Sequence, residues 1–173
     1  MEAKKCTDSL TIMTELVLPN DANLLGNLMG GRLLYWMDIA SALSAAKHAN
    51  AQVVTASVDN VSFQQPIKLG SVITIEAKVS RAFKTSMEVH LVVYAETLRH
   101  GKKVKSNEAF YTFVALDENG SPIDVPPAIP ENETEQRLFE SAMRRREIRL
   151  VLAGKIKAHE AEGLKALFGN LSQ

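Results

Sequence analysis

Residues 72–80 alternate without a break, with Ile73, Ile75, Ala77 and Val79 on one face and Thr74, Glu76, Lys78 and Ser80 on the other. A period of two predicts a β-strand with one buried and one wetter face. Met87 to Thr97 repeats the pattern: Met87, Val89, Leu91 and Val93 oppose Glu88 and His90, while Val92 and Tyr94 make the second face less polar. Leu10 to Leu18 is rich in Thr, Ile, Val and Leu, stops at Pro19-Asn20-Asp21, and reads as a strand followed by a turn. Val53 to Phe63, with β-branched residues and weak alternation, and Lys103 to Leu116, ending near Asn119-Gly120, read as two further strands. Turn residues separate them at Pro66 to Gly70, Arg81 to Ser86 and Arg99 to Lys102.

The stretch after the first strand has a different period. Asn20 to Gly31 reads as a loop, and Arg32 to Ala49 is a run of helix formers without Gly or Pro. Leu33, Leu34, Trp36, Met37, Ile39, Ala40 and Leu43 make that run apolar on most faces, which predicts a buried helix. Its small second half (Ala40, Ser41, Ala42, Ser44, Ala45, Ala46) would let a sheet approach closely. One strand, one long helix and then four strands in a meander is an α+β layout, an antiparallel sheet wrapped around a central helix. Four prolines make Glu118 to Pro130 an extended connector. Glu131 to Leu152 is predicted to be a C-terminal helix, with Glu131, Glu133 and Glu135 at its start and Arg144, Arg145, Arg146 and Arg149 near its end, complementing the helix dipole. Gly154 interrupts it, and a short helix is expected toward Gln173. The domain division expected is 1–130 for the core and 131–173 for a helical extension.

At 173 residues the chain suits one domain, which at that size buries roughly 70% of its unfolded surface. Twenty basic and twenty acidic residues cancel, so no global field gathers nucleic acid or an anionic membrane. No stretch approaches the ~18 apolar residues of a spanning helix, and Met1 to Leu10 is too polar for a signal peptide's apolar region. The expectation is a soluble, cytoplasmic protein without nucleic-acid or membrane partners. The single cysteine, Cys6, reads as an incidental thiol near a frayed terminus.

Gly26-Asn27-Leu28-Met29-Gly30-Gly31 has neither the Gly-Lys-Ser/Thr ending nor the spacing of a nucleotide loop. No Cys/His cluster has zinc spacing, so no metal is expected, and no G-x-S-x-G elbow is present. His48, His90, His100 and His159 are scattered and read as helix-end or surface residues. What remains is the junction between the glycine loop and the helix. Glycines there let a ligand approach unused backbone N–H groups, and the helix dipole adds positive potential, which suits an oxyanion or a polarised carbonyl. Asn23 lies just upstream, and Asp38 lies seven residues past Gly31, about two helical turns. A carboxylate among Trp36, Met37, Ile39 and Ala40 is costly to bury unless it is hydrogen-bonded or used. Asp38 is therefore either a functional group or the partner of Ser41 or of a sheet amide.

These residues resemble the cytosolic acyl-CoA hydrolases of the hotdog fold, the group containing brain-type acyl-CoA thioesterase and its single-domain bacterial relatives. The resemblance runs through Asn20-Asp21-Ala22-Asn23, Gly26-Asn27, Gly30-Gly31 and Trp36-Met37-Asp38. It continues in Val54-Thr55-Ala56-Ser57-Val58-Asp59, Arg81 to Glu88, Phe110-Tyr111-Thr112-Phe113-Val114, the proline-rich connector and Arg144 to Leu150. It implies a hotdog fold, a five-stranded antiparallel sheet around one long helix, and hydrolysis of fatty acyl-CoA to fatty acid and CoA. The catalytic pair it implies is Asn23, polarising the thioester or orienting water with the backbone N–H groups near Gly30 and Gly31, and Asp38, acting as base or nucleophile. CoA contacts carry over to Thr55, Ala56, Ser57, Lys84, Thr85, Ser86 and Arg146. A thioester needs oxyanion stabilisation and an activated water, and thiolate is a tolerable leaving group. CoA belongs to the substrate, and no cofactor is implied. The brain-type enzyme divides its pair between two hotdogs of one chain; this chain carries both residues on one, so dimers grouped as a homohexamer are expected. The rivals are a non-catalytic acyl-CoA sensor, which would need no activated water, and a hotdog dehydratase, disfavoured because no histidine lies between Asn20 and Lys47.

Overall fold

The computed structural model describes residues 1–59, 61, 63, 65–98 and 101–163. The chain runs β1 (Lys4–Lys5), β2 (Thr11–Leu16), α1 (Gly30–Ala49), β3 (Gln52–Asp59), β4 (Ser71–Ala82), β5 (Ser86–Thr97), β6 (Lys103–Leu116), β7 (Ala128–Ile129) and α2 (Glu133–Leu152). It divides into two compact units, Met1–Glu131 and Asn132–Gln173. Of the tail expected to be helical, the described part holds a 3₁₀ turn at Ala158–Glu160; residues 164–173, together with Arg99 and His100, lie outside the described residues.

In the first unit β2, β4, β5, β6 and β3 form one antiparallel sheet in that spatial order. The meander expected of the last four strands is thus corrected. Only β4, β5 and β6 follow in sequence, and β3 pairs with β6 at the far edge. The cause is the length of α1. Twenty residues at 1.5 Å each span about 30 Å, more than five strands at about 4.8 Å spacing. The helix therefore carries the chain from the β2 edge to the opposite one. Asn50, in left-handed conformation at φ 50°, ends it and turns the chain into β3.

The alternation seen in the sequence sets the buried face. Ile73, Ile75, Ala77 and Val79 of β4, Met87, Val89, Leu91 and Val93 of β5, and Ala109, Tyr111, Phe113 and Ala115 of β6 form one core with Leu33, Trp36, Met37, Ala40 and Ala45 of α1. Each large side chain fully buried this way contributes about 1.5–3 kcal/mol. The helix is not buried all round, as its composition suggested. Tyr35 is 55% and Leu43 49% exposed.

The N-terminus also departs from expectation. It is not frayed: β1 pairs in parallel with β7, and Lys4 N–H donates to Pro127 O at 2.9 Å. Cys6 is buried in the core. His48 is fully buried, and its Nε2–H donates to Pro126 O at 2.8 Å, fastening the proline connector to the end of α1. Burial lowers the His48 pKa below the usual histidine range, with the Pro126 bond opposing, so the ring is neutral.

In the second unit α2 begins at Glu133, two residues later than expected, because Asn132 caps it by accepting the Glu135 N–H at 3.0 Å.

Candidate active site

The loop before α1 is held by its own polar groups. Asn23 Oδ1 accepts the N–H of Leu25 at 3.0 Å and of Asn27 at 3.2 Å. The backbone closes the same turn, Asn23 N–H to Asn27 O at 2.8 Å and Gly26 N–H to Asn23 O at 2.9 Å. Gly26 sits at φ +70°, where a side chain would be strained. With its oxygen occupied twice, the Asn23 amide presents Nδ2, a donor.

The helix starts at Gly30, two residues earlier than the sequence suggested, so both glycines form its first turn. Arg32 and Leu33 N–H both donate to Met29 O, which leaves the Gly30 and Gly31 N–H groups unused by the helix. No side chain among the described residues caps this end. A Cβ on Gly30 would meet the Phe63 ring at 3.1 Å, whereas one on Gly31 would meet nothing within 4 Å. Asn23, Asn27, Gly30 and Asn107 share a cavity of about 380 Å³ with Leu28, Leu33, Phe63, Gln65, Pro66 and Ile67.

Asp38 lies elsewhere. It is eight residues beyond Gly30 on α1, about 12 Å along the axis, and it does not line that cavity. It is half-buried, and the Thr55 hydroxyl donates to its Oδ1 at 2.8 Å. Neither of the structural partners the sequence allowed is used: the Ser41 hydroxyl is buried with no hydrogen-bond partner among the described residues, and the Asp38 bond comes from a side chain rather than a sheet amide. The Tyr111 hydroxyl, which donates to Leu34 O at 3.5 Å, has its pKa pushed up to about 12, first by burial and then by the charge of the Asp38 carboxylate.

Thr55 belongs to β3, and a bulge there leaves Ala56 as the extra residue. Thr55 pairs with Phe113 and Ser57 with Thr112. Paired residues share a face, so Thr55 faces α1 and Ser57 faces away, although two apart in a regular strand they would point together. The Ser57 hydroxyl is buried without a partner among the described residues. Lys84, Thr85 and Ser86 form the β4–β5 turn, where Phe83 N–H donates to Ser86 O at 2.7 Å and Ala115 N–H to Thr85 O at 3.0 Å. Val114 of β6 pairs with both Ser86 and Val54. The turn therefore lies level with Thr55, two strands or about 10 Å away. Lys84 is exposed. Arg146 lies on α2 in the second unit, and burial followed by the neighbouring Arg149 lowers its pKa from the usual arginine value.

The Asn107 position in the cavity wall and the Tyr111 position beside Asp38 are additions to the sequence reading. Asn107 was discoverable: it continues the inward-facing row Ala109, Tyr111, Phe113, Ala115, where the pattern demands an apolar residue. Tyr111 carries no such signal, since an aromatic in that row looks like core.

Among the described residues no helix is long and apolar enough to cross a membrane, and no cluster of His, Cys, Asp or Glu could hold a metal ion.

The thioesterase superfamily model matches residues 25–102. A Bacillus subtilis protein named uncharacterized acyl-CoA thioester hydrolase YkhA is 38% identical over 144 residues, 83% of this chain and 84% of its own. Mouse acyl-coenzyme A thioesterase 11 is 43% identical over 84% of this chain, which spans 24% of that longer protein. Among solved structures, an apo-hexameric acyl-CoA thioesterase superimposes with a TM-score of 0.85 at 42% identity, covering 88% of this chain and 98% of that one. An acyl-CoA hydrolase from Staphylococcus aureus, solved with butyryl coenzyme A, coenzyme A and coenzyme A disulfide, gives 0.80 at 36% identity over 99% of both chains. Variants of the Staphylococcus aureus protein have also been solved in which an Asn, an Asp and a Thr are replaced by Ala. Those positions lie 15 and 17 residues apart in sequence, the spacing of Asn23, Asp38 and Thr55 here. On this likeness of sequence and architecture, the chain belongs to the hotdog-fold thioesterase superfamily, in the family of acyl-CoA thioester hydrolases.

Proposed function

We propose that this protein hydrolyses fatty acyl-CoA to a free fatty acid and CoA at sites completed between two copies of the chain. The observation that carries the reading is the Thr55–Asp38 bond. It fixes one carboxylate oxygen of a half-buried helix residue and leaves the other to act on water. The opposite requirement, donors for a developing oxyanion, is met by Asn23 Nδ2 and the Gly30 and Gly31 N–H groups.

In this mechanism the thioester carbonyl oxygen lies against those donors. A water gives a proton to Asp38 Oδ2 as its oxygen bonds to the carbonyl carbon. The tetrahedral oxyanion then collapses, the C–S bond breaks, and the proton held by Asp38 passes to the departing thiolate. Direct attack by Oδ2 to form an anhydride would use the same carboxylate. A single turnover in oxygen-18 water separates the base route, which labels the fatty acid in that turnover, from an anhydride opened at the Asp38 carbonyl, which delivers an unlabelled enzyme oxygen and leaves the label on Asp38.

Two copies are part of the proposal because the separation along α1 is too long for one thioester carbon to meet both groups of a single chain. The supporting surface is β3, an edge strand with Val54 46% and Val58 44% exposed. An uncovered apolar edge strand invites pairing. Three such dimers as a hexamer, Thr55, Ala56, Ser57, Lys84, Thr85, Ser86 and Arg146 as CoA contacts, and a cytoplasmic location complete the proposal. Lysine and arginine suit the phosphates of the nucleotide handle. The test is steady-state thiol release from an acyl-CoA series by wild type, Asp38→Ala and Asn23→Ala. Folded Asp38→Ala with near-wild-type turnover would remove the base, and tight acyl-CoA binding without thiol release by wild type would make the protein a sensor.

A further inference from the structure

The loop bearing Asn23 and the first turn of α1 are joined through one buried carboxylate. Asp21 is 7% exposed. Its Oδ1 lies 2.8 Å from Arg32 Nε, its Oδ2 accepts the Leu18 N–H at 3.0 Å, and its carbonyl accepts the Met29 N–H at 2.9 Å. Leu18 precedes the loop, Met29 closes it, and Arg32 is the third residue of α1. Arg32 in turn sits over the Tyr35 ring, 5.7 Å from its centre. One residue thus spans the entry to the loop, its exit and the helix that follows.

This is more than loop closure requires. The turn from Asn23 to Asn27 is already closed by its own hydrogen bonds. Those bonds fix the shape of the turn but not its distance from the helix end. That distance matters for the chemistry, since an oxyanion donor works within about 2.7–3.1 Å of where the charge develops, and a misplacement of about 1 Å can cost ~10²-fold. Leu28 N–H to Ile67 O at 2.7 Å and Leu69 N–H to Gly26 O at 2.9 Å tie the loop to the segment before β4, whereas Asp21 ties it to the first turn of α1 through Arg32.

We propose that Asp21 and Arg32 are a positioning pair for thioester hydrolysis, holding Asn23 Nδ2 at the right separation from the Gly30 and Gly31 N–H groups. The inference rests on the reading of those groups as the carbonyl-binding side of the site. Asp21 acts through them and touches no substrate.

A double-mutant cycle with butyryl-CoA as substrate tests it, measuring kcat, KM and melting temperature for Asp21→Asn, Asn23→Ala and the double variant. Asp21→Asn is expected to lower kcat about 10- to 100-fold while KM stays within about threefold. Because Asp21 acts through Asn23, adding Asp21→Asn to Asn23→Ala costs less than about threefold more. Arg32→Gln, which leaves the Leu18 bond in place, moves kcat the same way, and Arg32→Lys recovers part of the loss. The Arg32 variants carry the comparison if Asp21→Asn does not fold. A lowered melting temperature with unchanged kcat, or a double variant whose loss is the product of the single losses, overturns the positioning role. Wild-type turnover by Asn23→Ala would instead remove the carbonyl-binding reading beneath it.

Discussion

The loop before α1 and the β3 edge differ in how much of their bonding is internal. Around Asn23 the backbone and side-chain groups satisfy one another, Asp21 ties the turn to the helix, and a cavity is already shaped beside Gly30. Around Asp38 a single hydroxyl bond is made among the described residues, and the strand that supplies it is an edge strand with exposed Val54 and Val58. One half is finished within the chain, and on the proposed reading the other is finished by a second chain. Preorganised donors must be rigid before substrate arrives, while a carboxylate that activates water also needs a wall that excludes bulk solvent.

The largest effect should come from the unfinished half. Asp38→Ala is expected to lower kcat about 10³-fold, within the range of a lost general base, with acyl-CoA binding little changed. Stopped-flow thiol detection and direct binding separate the two quantities. Asn23→Ala removes one donor from the finished half and should cost about 10²-fold in kcat, measured the same way. Thr55→Val keeps the β-branched shape but frees Asp38 Oδ1, and a loss of about tenfold in kcat at unchanged KM is expected. A loss confined to KM would make Thr55 only a CoA contact. The smallest effect concerns stability. His48 has a native pKa below its unfolded value of about 6.5, so the unfolded chain takes up the proton first. Its contribution is complete above that value and declines as pH falls through the lower native one. Urea unfolding at about pH 7.5 and 5.5 should show this loss, and His48→Gln should flatten it.

Much of this was legible because local pattern carried it. The clean alternation of β4 and β5 set the buried face, and the run from Arg32 to Ala49 marked the central helix. The matched stretches pointed to Asn23 and Asp38. What was hidden is non-local. Nothing in Val53 to Phe63 states that it pairs with Lys103 to Leu116 rather than with the next strand. The two-residue pairing of Lys4–Lys5 with Ala128–Ile129 is too short to leave a period. Gly30 and Gly31 read as loop because glycine is a poor helix former, yet the first turn tolerates it. The Thr55–Asp38 bond depends on where a bulge falls, which no spacing of residues announces.

The claim that the site is shared between chains can be tested by mixing. Asp38→Ala and Asn23→Ala proteins, each nearly inactive alone, are unfolded together and refolded in equal amounts. Half of the random dimers then hold one of each, and one of the two sites in such a dimer has both native residues, so about a quarter of wild-type activity should return. A mixture no more active than its components would mean that Asn23 and Asp38 serve the same chain's site, and the account would be wrong.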